Sequence, residues 1–237
     1  MRKLSVFLVL LVVFGCSKKD ELSEEVYQPQ IVELTDDHRK IAITASDLSR
    51  VEELTIQILN YHKSQNTLVS RTLNPPIAKE EVRKLFSEFS CEPPEEIYRI
   101  WSIINGTSMT GSDDSFIWYH KLMSAEDSIS KNKELRNYDM PDWNSDWFPI
   151  FEFQDEWYFF ECTDTPKLAS PIVFYFTESG AWYSYINLTT MLEFGAAVIS
   201  QGLHKEDGEI SYSERNRRLY EIHRKFNEGA TFPYAVE

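Results

Sequence analysis

Histidine is the side chain best suited to moving protons near neutral pH and to holding metals. The 237-residue chain has five: His38, His62, His120, His204 and His223. None stands at a spacing such as H-E-x-x-H, and the cysteines form no C-x-x-C pair. Acids number 38, so neighbours such as Glu80-Glu81 and Asp113-Asp114 read as solvated faces rather than acid/base pairs. The eight glycines form no phosphate-cradling loop, and no G-x-S-x-G nucleophile elbow occurs. Nothing in these patterns points to catalysis, a metal or a cofactor. Thiol chemistry is left to three cysteines, Cys16, Cys91 and Cys162. Cys91 and Cys162 could join in an oxidising compartment, although the sequence does not say whether they are neighbours.

One stretch concentrates groups that suit binding. Residues 142–164 hold seven acids, nine aromatics and no Lys or Arg. Strand alternation sends some of these aromatics to the core. In one reading the rest stand beside the acidic turn Gln154-Asp155-Glu156, giving aromatic anchors with a charged rim, as protein interfaces favour. The candidate partner-binding residues are then Asp146, Glu152, Asp155, Glu156, Trp157 and Tyr158. In the other reading every aromatic is core and the acids are solvent cover.

The N-terminus carries an address. Arg2 and Lys3 precede Leu4–Phe14, an eleven-residue apolar run with one Ser. That is short of the roughly 20 residues a membrane-spanning helix needs, and it fits the apolar region of a secretory signal peptide over 1–15. Val13-Phe14-Gly15-Cys16 resembles the bacterial lipobox, in which the cysteine is acylated and the chain is cut before it. The resemblance implies lipidation at Cys16 and a bacterial cell-envelope location, on the periplasmic or surface face of the outer membrane. The polar stretch that follows reads as a flexible tether. Expected boundaries are 16–44 for lipidated terminus and tether, 45–229 for the domain and 230–237 for a tail.

Charge narrows the partners. Residues 1–15 carry two positive charges and no acids, so their removal takes the formal charge from −14 to −16. Nucleic acid, which rewards Lys and Arg, is excluded as an expected partner; a basic protein is favoured.

The elements that must position any site follow from periodicity. Apolar residues at helical spacing predict helices over Asp47–His62, Lys79–Phe89 and from Pro94, the last closed by Asn105-Gly106. Short β-branched and aromatic runs predict strands over Phe116–Tyr119, Trp147–Phe153, Trp157–Cys162, Ile172–Phe176 and Trp182–Ile186. Helices are expected near Ser124–Lys133, from Asn187 through Ser200, and over Ser213–Asn227. Helices, a meander, then helices is an α+β order with a central antiparallel sheet of about five or six strands.

Four strings in this order resemble the SMI1/KNR4 family, also called the SUKH superfamily. They are Pro93-Pro94-Glu95-Glu96-Ile97-Tyr98 running to Asn105-Gly106; Trp147-Phe148-Pro149-Ile150-Phe151; Pro171-Ile172-Val173-Phe174-Tyr175 with Trp182–Ile186 and the helix from Leu188; and Ile222-His223-Arg224-Lys225-Phe226-Asn227-Glu228-Gly229. Together they cover about 45–229. The Gly-Asp that many members carry after the first sheet strand is absent, since that stretch reads Glu152-Phe153-Gln154-Asp155-Glu156-Trp157. The resemblance implies a sheet flanked by N- and C-terminal helices and a non-catalytic protein-binding role. Bacterial members are largely immunity proteins that neutralise toxins. The alternative is an envelope lipoprotein with a structural or ligand-binding role and no toxin partner.

Overall fold

The computed structural model describes residues 32–108, 115–138, 143–204 and 210–234. Helices form where apolar spacing demands them. α1 spans Asp36–Ala45 and α2 Leu48–Ser64. α2 buries Val51, Leu54, Thr55, Ile58, Leu59 and His62 as one stripe, and Asp47 caps it by accepting from the amides of Ser49 and Arg50. α3 (Lys79–Phe86) tightens into a 3₁₀ turn at Ser87–Phe89. α4 (Glu95–Trp101) starts behind Pro94, and α5 (Ala125–Leu135) is capped by Ser124. α6 (Leu188–Ser200) and α7 (Tyr212–Phe226) are capped by Asn187 and Ser211.

These helices flank one five-stranded antiparallel meander, β1 (Lys121–Leu122), β2 (Trp147–Phe153), β3 (Glu156–Glu161), β4 (Ile172–Phe176) and β5 (Gly180–Tyr185), paired in sequence order. The architecture is α+β with a central antiparallel sheet. The register pairs Phe151 with Tyr158, Tyr158 with Phe174, and Phe174 with Trp182. This puts large rings side by side across four strands. They join Phe148, Phe160 and Tyr185 in the main core, together with Trp101 and the apolar stripes of α2, α4 and α6. A bulge between Pro149 and Phe151 lets Ile150 and Phe151, adjacent in sequence, both reach that core. The other sheet face holds a smaller cluster of Trp147, Trp157, Phe159, Val173 and Tyr175, covered in part by Leu34, Trp143 and Leu135 of α5.

Several expected boundaries need correction. The stretch 16–44 was expected to be tether, yet Leu34 packs on the second face and α1 lies within the fold. Thr35 caps α1, His38 stacks on Tyr183 with ring centroids 4.4 Å apart, and Arg39 pairs with Glu161 at 3.0 Å. α1 is held by these polar contacts more than by an apolar stripe, since only Ala42 of it is buried. The tail expected from residue 230 likewise packs in: Thr231 and Phe232 are buried. Thr231 takes the Val32 amide on its hydroxyl and donates its own amide to the Tyr183 carbonyl, while Tyr183 donates to Val32. The two ends of the domain thus cover the outer edge of β5, which would otherwise offer unpaired backbone groups.

Phe116–Tyr119, expected as a strand, is a tight loop closed by an Ile117–His120 bridge. Trp118 sits at φ +57, a left-handed conformation that cannot continue a strand. Gly106 does not cap α4, which ends at Trp101. With φ +74 it lies where the chain passes Met123 and Ser124 so closely that a Cβ would overlap their backbone.

Cys91 and Cys162 form a disulfide that closes 71 residues, from the segment before α4 to the end of β3. Next to it Glu92 and Thr163 exchange two backbone hydrogen bonds of 2.7 and 3.2 Å. By loop-closure entropy such a crosslink contributes about 4 kcal/mol, with 2–4 typical. Urea unfolding of the Cys91→Ser/Cys162→Ser double variant should show a loss of about 2–4 kcal/mol against the oxidised protein. The same loss should follow reduction of the wild type.

Candidate functional site

The six residues singled out for partner binding do not gather into one patch. Asp146 precedes β2, while Glu152, Asp155 and Glu156 lie at its far end. A seven-residue strand separates the two groups by about 20 Å. Both hairpin turns, Gln154-Asp155 and Thr177–Ser179, fall at the same end of the sheet because Glu156 pairs with Phe176. That end carries exposed Asp155 and Glu178. Glu152 there is half-buried and paired with Lys121 at 3.4 Å.

The two aromatics of the set are not surface anchors. Trp157 is 5 % exposed in the second-face cluster and Tyr158 is 1 % exposed in the main core. Alternation sent them to opposite faces, as the sequence implied, but both faces are covered. Of the six, only Asp146 and Asp155 are exposed.

Glu156 turns inward. Its Oε2 lies 3.4 Å from Nε2 of His120 and accepts a hydrogen bond of 3.3 Å from the Tyr234 hydroxyl. Tyr158 and Tyr185 complete a group of three phenols beside this pair. Burial holds the His120 imidazole below its ordinary value, with Glu156 opposing. Burial also raises Tyr158 and Tyr234 well above theirs. The group is thus a neutral imidazole and protonated phenols next to one half-buried carboxylate. A histidine–carboxylate pair has the composition of a general base, but His120 is only 1 % exposed. What the geometry does is latch the chain end at Tyr234 onto the sheet.

The other histidines also serve structure. His223 donates Nε2–H to the Ser184 carbonyl at 2.7 Å, and burial lowers its pKa to about 4. His62 donates to the Phe116 carbonyl at 3.0 Å. Among the described residues no group of three His, Cys, Asp or Glu is placed to hold a metal.

One carboxyl was not anticipated. Glu96, in the first turn of α4, is fully buried. Its Oε1 accepts from the amides of Ser170 and Leu188, each at 3.2 Å, and its Oε2 meets the Ser46 hydroxyl at 3.3 Å. Burial outweighs these bonds and raises its pKa to about 8. Protonation removes the buried charge, and the two amides and the Ser46 hydroxyl still donate to the carboxyl oxygens. No signal in Pro94-Glu95-Glu96-Ile97 distinguishes Glu96 from Glu95, which is only partly buried, because only the tertiary fold brings Ser170 and Leu188 to it.

The folded pKa of Glu96 is above the ordinary 4.5. Its contribution is therefore fully present below about pH 4.5 and is lost as pH rises toward about 8. The loss should be on the order of 3 kcal/mol by pH 7. Glu96→Gln, whose amide mimics the protonated form, should flatten that part of the curve and be more stable than wild type at pH 8. Denaturant melts from pH 4.5 to 8.5 check this; parallel curves for the two proteins would refute it.

The split between exposed and buried candidates is equally testable. Trp157→Ala should cost about 3–5 kcal/mol, whereas Asp155→Lys should stay within about 0.5 kcal/mol of wild type, both read from urea midpoints at constant slope.

The chain matches no family model and no curated protein.

Proposed function

We propose that the chain is a lipid-anchored, non-catalytic protein-binding module of the bacterial envelope, an immunity-like protein that engages a basic toxin. The observation that carries the binding part is the placement of charge. In a chain of formal charge −14, the exposed Asp155 and Glu178 project from two turns at one end of the sheet. Rim charges of one sign steer a partner of the other sign and set its arrival rate. The Cys91–Cys162 disulfide supports the envelope part, because such crosslinks persist in oxidising compartments. The order of helices, meander and helices supports the SMI1/KNR4 resemblance. Lipidation is assigned to Cys16, which lies outside the described residues. With α1 inside the domain, residues 17–31 are the connection to the membrane, reaching at most about 50 Å. An antidote held there protects only against a toxin that acts in, or crosses, the envelope.

The test pairs two readouts. Palmitate labelling of the wild type, lost in Cys16→Ala, is expected; an unlabelled, fully soluble wild type refutes the anchor. The purified chain should bind a basic secreted toxin encoded beside it and suppress its toxicity. Asp155→Lys with Glu178→Lys should slow association about tenfold at low salt, with the difference closing as salt rises. No binding to, and no protection from, that toxin refutes the immunity reading.

A further inference from the structure

α1 is joined to the rest of the domain by few and mostly polar contacts. Of its ten residues only Ala42 is buried, and Ile41 stays 47 % exposed. Among the described residues α1 makes hardly any close backbone approach to another helix or strand. The main core holds no residue from 32–47. The grip of α1 is one ring stack, His38 on Tyr183, one ion pair, Arg39 to Glu161, and one bond of 3.3 Å from the Asn187 side-chain amide to the Ala42 carbonyl. The Arg39 side chain is still 30 % exposed, and ion pairs open to solvent contribute little.

The boundary with α2 is clean. Ser46 is extended, with φ −72 and ψ 131, so the two helices are separate. Its hydroxyl is held by Glu96 at 3.3 Å, which makes it a fixed pivot. Asp47 caps α2 from outside α1, so α2 keeps its N-terminal bonds whether or not α1 is in place. The groups that α1 touches also keep other partners. Asn187 still takes the Thr190 amide as the cap of α6. The edge of β5 keeps Thr231, which gives its amide to the Tyr183 carbonyl and takes the Ser184 hydroxyl on its own carbonyl, each at 2.9 Å.

We infer that residues 32–45 form a detachable strap, which opens as one unit about Ser46 while the sheet and helices α2–α7 stay folded. Segments open with free energies from near zero up to that of global unfolding, and those with few buried apolar contacts lie at the low end. Opening uncovers the ring of Tyr183 and frees its amide from the Val32 carbonyl. It also releases chain. With the anchor of the proposed function, the connection to the membrane grows from residues 17–31 to 17–45, and its greatest reach rises from about 50 to about 95 Å. That gain in reach rests on the anchor; the opening itself does not.

Native-state hydrogen exchange of the wild-type full chain tests the strap. The amides of residues 40–45 should share one protection factor, at least about 100-fold below those of Leu54–Leu59 in α2 and Trp157–Phe160 in β3. Their exchange should also depend less on urea, because opening the strap exposes little surface. Arg39→Ala should lower the α1 protection about threefold. Leu54→Ala, in the main core, weakens the open and closed forms alike. It should speed exchange in α2 and β3 by about 30-fold or more and leave α1 unchanged. Core-like protection in α1, a gradient of protection along it as in simple fraying, or α1 moving with the core in Leu54→Ala would overturn the strap. So would α1 exchange unaffected by Arg39→Ala. If Leu54→Ala does not fold, the urea dependence of the wild type decides, and a slope in α1 equal to that of the core refutes the strap.

Discussion

The carboxyl group of Glu96 takes the amides of Ser170 and Leu188 and the hydroxyl of Ser46. Those residues belong to the α1–α2 corner, the β3–β4 connection and the first turn of α6, which lie 50, 74 and 92 residues from Glu96 in sequence. Burying a carboxyl is unfavourable unless its hydrogen bonds are made, so all three segments must sit correctly at once. Nearby contacts reinforce the junction. Glu95 and Glu96 donate their amides to the Lys167 and Leu168 carbonyls, so the start of α4 is satisfied by the loop that leads into β4. Asn187, which caps α6, also donates its side-chain amide to the Ala42 carbonyl at the end of α1. The α1–α2 corner, the helical layer and the sheet are therefore locked by one buried polar node.

Around that node the sheet is apolar on both faces. The main core uses one face and a smaller aromatic cluster uses the other. A sheet with two apolar faces needs cover on both sides, and here part of the second cover comes from the residues that precede α2. Their grip is polar and stacked, through His38 on Tyr183 and Arg39 on Glu161. Deep burial also lowers the pKa of His120 and His223 and keeps those two imidazoles neutral.

Acidity, disulfide and fold bear on the proposed role in different ways. The disulfide ties the helical segment before α4 to the end of β3 and fits an oxidising compartment. The acids are distributed, some neutralised by Lys121 or Arg39 and some exposed at the sheet end.

Periodicity and turn chemistry made most elements legible in the sequence. β2 and β4 fall on the expected residues, α2 and α6 begin at the caps Asp47 and Asn187, and α7 is displaced by one residue. These features depend on interactions within a few residues along the chain, so the local pattern carries them. The sequence also determined the alternation that sends Trp157 and Tyr158 to opposite faces, and the charge. Tertiary structure alone decided that both faces are covered, which removes those two rings from any surface site. It alone decided that Cys91 meets Cys162, that Glu96 is buried while Glu95 is not, and that α1 and Thr231–Phe232 belong to the domain. The physical reason is common to all of these. Burial and long-range pairing depend on what arrives from tens of residues away, and neither period nor propensity records it.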